Sequence, residues 1–203
     1  MRAFVVLVLC AVAVGPARAN EASRATSREA LGMCEEVDPD AEHKTAAIDR
    51  LDRAIALAES AIAADERDTL AHLALFCALG RQLQVAGLSW RSFARLQRAH
   101  QEIDRASELA PDEPDVLVAR GEFLCQIPRP LGGNQALGEK LLARALELKP
   151  DHVAGRLYFA KAIAARHAPD ARAQAYEALA AAKKAGAVRE QAEAQELLAS
   201  LDN

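Results

Sequence analysis

The sequence predicts an all-α solenoid of antiparallel helical hairpins, on three observations. The chain of 203 residues carries one Trp, two Tyr and five Phe, so its core must be assembled from Ala and Leu. Such small side chains suit closely packed helices better than a β-sandwich. Long stretches rich in Ala, Leu, Glu, Lys and Arg read as amphipathic helices, separated by short breaks rich in Pro, Asp or Gly. Three of those helices end alike, and fixed-period self-similarity is the signature of a repeat architecture.

At the N-terminus, residues 1–19 have the three-part layout of an export signal: Arg2, an apolar run from Ala3 to Gly15, and Ala17-Arg18-Ala19 before Asn20. The run is shorter than the about 20 apolar residues that cross a bilayer core. Cys10 comes after bulky Leu9 inside the run, which does not suit lipid attachment. The mature protein is therefore expected to begin near Asn20, as a periplasmic or secreted protein. No other apolar stretch is long enough to span a membrane, so the mature chain is not expected to be integral to one. Loss of Arg2 and Arg18 lowers 25 basic residues to 23 against 29 acidic ones, a net charge of −6. That acidic balance argues against nucleic acid as the main partner.

Residues 20–45 read as an N-terminal helical segment and residues 46–187 as the repeats. Within them, "RAIALAESAIAADERD" from Arg53, "RAHQEIDRASELAPDEPD" from Arg98 and "GEKLLARALELKPDH" from Gly138 align on Glu66, Pro111 and Pro150. Twelve residues before these anchors stand Ala54, Ala99 and Gly138; five before stand Ala61, Ala106 and Ala145. Between them, eight before the anchors, lie Ala58, Ile103 and Leu142. Small residues at two fixed positions of one helix face let a neighbouring helix approach, and the apolar residue between them fills the gap. After each anchor comes another apolar-faced helix: "TLAHLALFCALGRQL", "DVLVARGEFLCQI" and "VAGRLYFAKAIAARH". The unit is helix, loop, helix, with the break ending one helix and capping the next. A single hairpin cannot bury its own apolar face, and stacking several makes a continuous core.

The stretch Cys125 to Asn134, "CQIPRPLGGN", joins two of these helices. Pro128 and Pro130 cannot continue a helix that ends near Gln126, Gly132 and Gly133 permit a reversal, and Asn134 can cap the next helix. No Lys-Ser or Lys-Thr comes after the glycines and no strand precedes them, so a phosphate loop is disfavoured. Residues 188–203, with "REQAEAQELLASLDN" from Arg189, read as a polar-faced C-terminal capping helix.

Motifs for chemistry are sparse. His100 and Asp104 share a helix face, but a solvated polar face explains them better than a metal pair. "GLSWR" lacks the second glycine of a nucleophile elbow, which leaves Ser89 without a claim to be a nucleophile. No catalytic residue, cofactor or metal ligand is expected, and the chain does not read as an enzyme. Three cysteines lie beyond the leader, Cys34, Cys77 and Cys125, enough for one disulfide and one remaining thiol; all three could equally be small buried hydrophobes. No pair has CxxC spacing.

The repeat resembles the tetratricopeptide repeat family over roughly residues 46 to 186. The family's small eighth slot falls on Gly121 and Ala160, its small twentieth and twenty-seventh slots on the Ala and Gly pairs above, and its closing proline on Pro111 and Pro150. Phe76 stands where a small residue is wanted, Arg120 where Leu is wanted, and Glu66 where proline is wanted. Anchor spacings of 45 and 39 place an insertion around "QVAGLSWRSF" and the "CQIPRPLGGN" connector. Long connectors of this kind look like bacterial periplasmic helical-repeat proteins, including the T component of some TRAP transporters. "AGLSW" with the later "P..LGG" is also similar to the regulator-of-microtubule-dynamics family.

The resemblance implies about three repeats plus terminal helices, and a concave surface lined by the first helix of each repeat. Its slots fall on Leu70, Leu73, Cys77 and Arg81, then Asp115, Val118, Glu122, Cys125 and Gln126, then Leu157, Lys161 and Ala165. A surface mixing apolar and charged groups suits a peptide or a partner helix. It implies that Cys77 and Cys125 share the concave face of adjacent helices, so a Cys77–Cys125 disulfide is expected. The implied function is an exported, non-enzymatic scaffold for a protein or peptide partner. The transporter likeness implies instead an accessory that holds a small solute in a helical cavity.

Overall fold

The computed structural model describes residues 16–37, 43–87 and 90–202, with the side chains of 16–20, 90 and 91 left aside. The apolar run of the expected leader and Ser89 lie outside the described residues. Within them run α1 (Pro16–Glu35), α2 (Lys44–Ala64), α3 (Thr69–Ala86), α4 (Trp90–Leu109), α5 (Pro114–Gln126), α6 (Gln135–Leu148), α7 (Val153–Ala164), α8 (Ala171–Ala185) and α9 (Val188–Ser200). No strand occurs among the described residues. Helices pair as α1/α2, α3/α4, α5/α6 and α7/α8, with α9 closing on α8. This is the expected all-α solenoid of hairpins. The N-terminal helix α1 packs on both α2 and α3 and so takes the place of a first helix in a hairpin of its own.

The stripe of small residues lies at the centre of the packing. Ala54, Ala58 and Ala61 of α2, Ala99, Ile103 and Ala106 of α4, and Gly138, Leu142 and Ala145 of α6 are all buried. Fully burying Ile103 or Leu142 contributes roughly 1.5–3 kcal/mol each. The helices α5 and α6 approach closely. A Cβ added to Gly138 would stand 2.5 Å from Cys125 Sγ and 2.7 Å from the Gly121 carbonyl oxygen, and one added to Gly121 would stand 2.7 Å from Leu142 Cγ. The departures from the repeat are absorbed locally. Phe76 meets Phe123 edge to face at 5.5 Å, and Arg120 pairs with Asp104 at 2.8 Å.

The breaks between hairpins are closed in three different ways. Asp68 caps α3, one oxygen accepting from the Leu70 and Ala71 amides at 3.0 and 3.4 Å. Its other oxygen accepts from Ser23 and Ser27 of α1 at 2.7 Å each, so one buried carboxylate joins α1 to α3. At α5 the expected side-chain cap is absent: Glu113 makes no capping bond, and Pro114 at the first turn, which has no amide to satisfy, starts the helix instead. At α7 the cap is not an aspartate but His152, whose Nδ1 accepts from the Gly155 amide at 3.1 Å. The "CQIPRPLGGN" connector behaves as expected. After α5 ends at Gln126, Arg129–Leu131 form a single 3-10 turn, Gly132 takes φ 101, and Asn134 accepts from the Leu137 amide at 3.1 Å. Gly133 is forced, because any Cβ there would collide with the Ile127 carbonyl.

The expected Cys77–Cys125 disulfide is corrected. Cys77 is bonded to Cys34, with Cα atoms 6.2 Å apart, and Cys125 is a free thiol. The reason is the position of α1. It lies along α3 and brings Cys34 to the concave slot of Cys77, whereas Cys125 turns toward α6, its Sγ 3.9 Å from the Gln135 carbonyl.

A second polar pin joins α3 to α4. His72 Nδ1 lies 2.6 Å from Glu102 and its Nε2 3.1 Å from the Glu66 carbonyl. Both ring nitrogens face acceptors, so the doubly protonated ring satisfies both. Arg98 also pairs with Glu102. Burial alone would lower the His72 pKa, but the bonds to Glu102 and Glu66 outweigh it and the pKa is raised. Burial likewise acts to raise that of Glu102, and the bonds from His72 and Arg98 bring it below the usual value.

Candidate functional site: the concave face

Among the first helices of successive hairpins, α1 packs on α3 and α5 on α7, and α9 packs on α7 at the end of the row. The N-terminal ends of α3 and α5, with the loops before them and α1, enclose a groove of about 890 Å³. Its apolar lining is half-buried Leu70 of α3, above Leu73 and Val116, which are 8% and 1% exposed and belong to the core. Arg24 and Arg28, one turn apart on α1, also line it, as do Arg67 and half-buried Asp65 of the α2–α3 loop. Arg24, Arg28 and Arg67 are exposed, and none of these arginines is within ion-pairing distance of a carboxylate among the described residues. The start of α5 adds acidic groups to the lining, exposed Glu113 and Asp115, which pairs with His152 at 2.8 Å. The bond from His152 holds the Asp115 pKa below the usual range.

Farther along the face the surface becomes polar and is bridged by the protein's own groups. Glu122 accepts from Gln126 at 2.7 Å. Burial pushes its pKa up to about 7, with Arg81, Lys161 and the Tyr158 hydroxyl acting in the opposite sense. Lys161 pairs with Glu193 of α9 and lies 5.7 Å from the Tyr158 ring centre. Arg189 of α9 bonds Glu190 at 2.9 Å and reaches the Glu35 carbonyl at the end of α1 at 3.4 Å. The two ends of the row therefore meet across the concave side. The Cys125 thiol is pushed up to about 11 by burial, with Glu139 and Glu122 adding to it, so it is an unreactive thiol at neutral pH.

The residues expected to face a partner separate into three groups. Leu70, Leu73 and Asp115 line the groove. Arg81, Glu122, Gln126 and Lys161 belong to the polar half, where Gln126 and Lys161 are engaged by neighbours on this chain. Val118 and Leu157 are 5% and 1% exposed and pack inside the solenoid, against Leu142 and Ala162 in one case and Ala178 and Ala194 in the other. They hold helices together and offer no surface.

Arg24, Arg28 and Arg67 were not among the residues expected from the sequence: the first two lie on α1, outside the repeat pattern, and Arg67 lies in the loop between α2 and α3, off the slots assigned to the concave surface. A signal was present. Ser23, Ser27, Ala30 and Cys34 form a small-residue stripe at spacings of four, three and four, and all four are buried. That stripe puts Arg24 and Arg28 beside the buried face. His100 and Asp104 are 3.6 Å apart, and His100 also packs on Phe123 with ring centres 5.3 Å apart. Among the described residues no group of three or more His, Cys, Asp or Glu is placed to hold a metal ion. None of the described helices is long and apolar enough to cross a membrane.

No protein-family model and no curated protein matches the chain. Solved structures do. A thermophilic TPR protein of Thermus thermophilus is similar over 90% of this chain and 91% of its own, at 19% identity and a TM-score of 0.59. YrrB, described as a TPR protein with an unusual peptide-binding site, is similar over 78% of this chain and 87% of its own, at 16% identity and a TM-score of 0.37. The first likeness shows a tetratricopeptide-like fold.

Proposed function

We propose that this chain is an exported, non-enzymatic scaffold that holds a protein or peptide partner on its concave face. The observation that carries the reading is the groove at the N-terminal ends of α3 and α5. It joins the half-buried Leu70 side chain to guanidinium groups that have no carboxylate partner among the described residues. A surface that saturates its charges internally has little to offer a partner, and this one does not. The buried carboxylates nearby are already engaged: Asp68 with Ser23, Ser27 and the α3 amides, and Glu102 with His72 and Arg98. Binding, rather than turnover, is what the remaining groups can do.

Export is supported by the leader layout of residues 1–19 and by the Cys34–Cys77 disulfide, since disulfides persist in oxidising compartments. The test is site-specific photo-crosslinking in the producing cell. A crosslinker at Leu70 is expected to trap a discrete polypeptide, while one at Lys140 on α6 is not. N-terminal sequencing of the same material should begin near Asn20. Crosslinking at neither position, or equally at both, would rule out the concave face as the binding surface.

A further inference from the structure

We infer that this chain is built as two bodies, α1 to α4 and α5 to α9, hinged where α4 meets α5 and latched across the concave side by Arg189. Release of the latch opens the seam between the bodies, in which the groove lies. The inference goes beyond the scaffold reading and does not depend on which partner is bound.

The division follows from which helices touch. In the first body α1 packs on α2 and α3, α2 on α3, and α3 on α4. In the second α5 packs on α6 and α7, α7 on α6, α8 and α9, and α8 on α9. Among the described residues, α4 against α5 is the main helix pair that crosses from one body to the other. First helices pack directly inside each body, α1 on α3 and α5 on α7, yet α3 and α5 make no comparable contact. A seam of side chains joins the bodies instead: Leu73, Leu96, Ile103 and Ala106 cluster with Val116 and Phe123, and Arg120 pairs with Asp104 at 2.8 Å. The groove draws its lining from both bodies, Arg28 and Leu70 from the first, Glu113 and Asp115 from the second. Rotation about the α4–α5 junction therefore changes its width.

The latch is the one hydrogen bond, among those described, that ties the start of α9 to the end of α1. Arg189 donates to the Glu35 carbonyl at 3.4 Å, across a sequence separation of 154. That carbonyl belongs to the last turn of α1, the negative end of the helix dipole, where a cation is favoured. Glu190 holds the same guanidinium at 2.9 Å. The buried Nε of Arg189 has no hydrogen-bond partner, and the Glu193 carboxylate stands 3.7 Å from it. Arg81 of α3 adds to the link, since its charge acts both on Glu35 of its own body and on Glu122 of the other. An apolar junction at one side and a weak polar contact at the other is the arrangement of a hinge with a releasable catch. A long hydrogen bond to a helix end is modest in strength, so closed and open forms lie close in free energy.

The test uses the full mature chain with nitroxide labels in place of Arg53 on α2 and Lys183 on α8, both exposed and on different bodies. Non-natural amino acids carry the labels, so the Cys34–Cys77 bond stays intact. Electron paramagnetic resonance is expected to give one narrow distribution of label distances at low salt. Arg189→Gln should move it to longer distance and broaden it roughly twofold, as a hinge freed of its catch would. Raising salt to about 1 M, where the screening length is about 3 Å, should shift the parent toward the variant. Arg172→Ala, which removes a bond to the Leu201 carbonyl inside the second body, should match the parent. Hydrogen exchange at Ala194 and Leu198, both buried, checks that α9 stays docked in Arg189→Gln. The salt series on the parent tests the latch even where α9 does not.

An unchanged distribution across the salt series would overturn the inference. So would an unchanged distribution in Arg189→Gln, or equal broadening in Arg172→Ala. A partner trapped at Leu70 in the cell, together with a rigid and salt-independent distribution, would sink the hinge and leave the scaffold reading standing. Movement without a trapped partner would do the reverse.

Discussion

The clearest residue-scale device is the His72–Glu102 pin, since it turns two groups that ordinarily oppose burial into a link between α3 and α4. His72 and Glu102 are each 6% exposed, and their mutual bond at 2.6 Å moves their pKa values apart. The folded pKa of His72 lies above its ordinary value of 6.5. Its stabilisation is therefore complete below that value and is lost as pH rises through the folded pKa. Glu102 is displaced downward from 4.5. Its contribution is present above that value and is lost as pH falls through the folded pKa. The pin is strongest between those two ordinary values. Chemical denaturation across a range from about pH 6 to about pH 9 should show the parent losing more stability with rising pH than His72→Gln does. Parallel pH profiles for the two proteins would refute the assignment.

The element scale is governed by how closely α5 and α6 approach. With the Gly121 carbonyl 2.7 Å and Cys125 Sγ 2.5 Å from where a Cβ on Gly138 would sit, Gly138→Ala must push the two helices apart. It is expected to destabilise by roughly 1–3 kcal/mol, the usual range for overpacking. Gly80, inside α3, is the counterpart. A Cβ there meets nothing within 4 Å, so Gly80→Ala should stabilise by roughly 0.5–1 kcal/mol through the helical preference of alanine. Thermal melts of the two variants should move in opposite directions. The repeat pattern made Gly138 legible as a small-residue slot, because spacing within one helix is written in the sequence. Which neighbour demands glycine rather than alanine depends on the partner helix, and spacing alone cannot show that.

At the scale of the molecule, α1 is held to the rest by the Cys34–Cys77 bond, by Asp68 through Ser23 and Ser27, and by the Arg189 contact at Glu35. The disulfide closes a loop with a sequence separation of 43. Chain entropy for a loop of that size corresponds to about 4 kcal/mol, of which roughly 2–4 kcal/mol is typically realised. Cys34→Ser is therefore expected to lower the unfolding free energy by about that amount in denaturant titrations, while Cys125→Ser has a much smaller effect. A large loss in Cys125→Ser with none in Cys34→Ser would restore the rejected pairing. Because Arg24 and Arg28 ride on α1, the same bond also fixes these two arginines in the lining of the groove.

Two kinds of information are thus separated in this protein. The sequence by itself determined the helices, their breaks, the small-residue stripe and the turn at "CQIPRPLGGN", because each depends on periodicity or local backbone chemistry within a few residues. The placement of α1 and α9 decided what matters most for the site: which cysteines meet, which arginines line the groove with Leu70, and which concave positions are already filled. Those outcomes depend on the curvature of the stack. Curvature is the sum of many helix-to-helix approaches, so it exists only once the whole chain has packed.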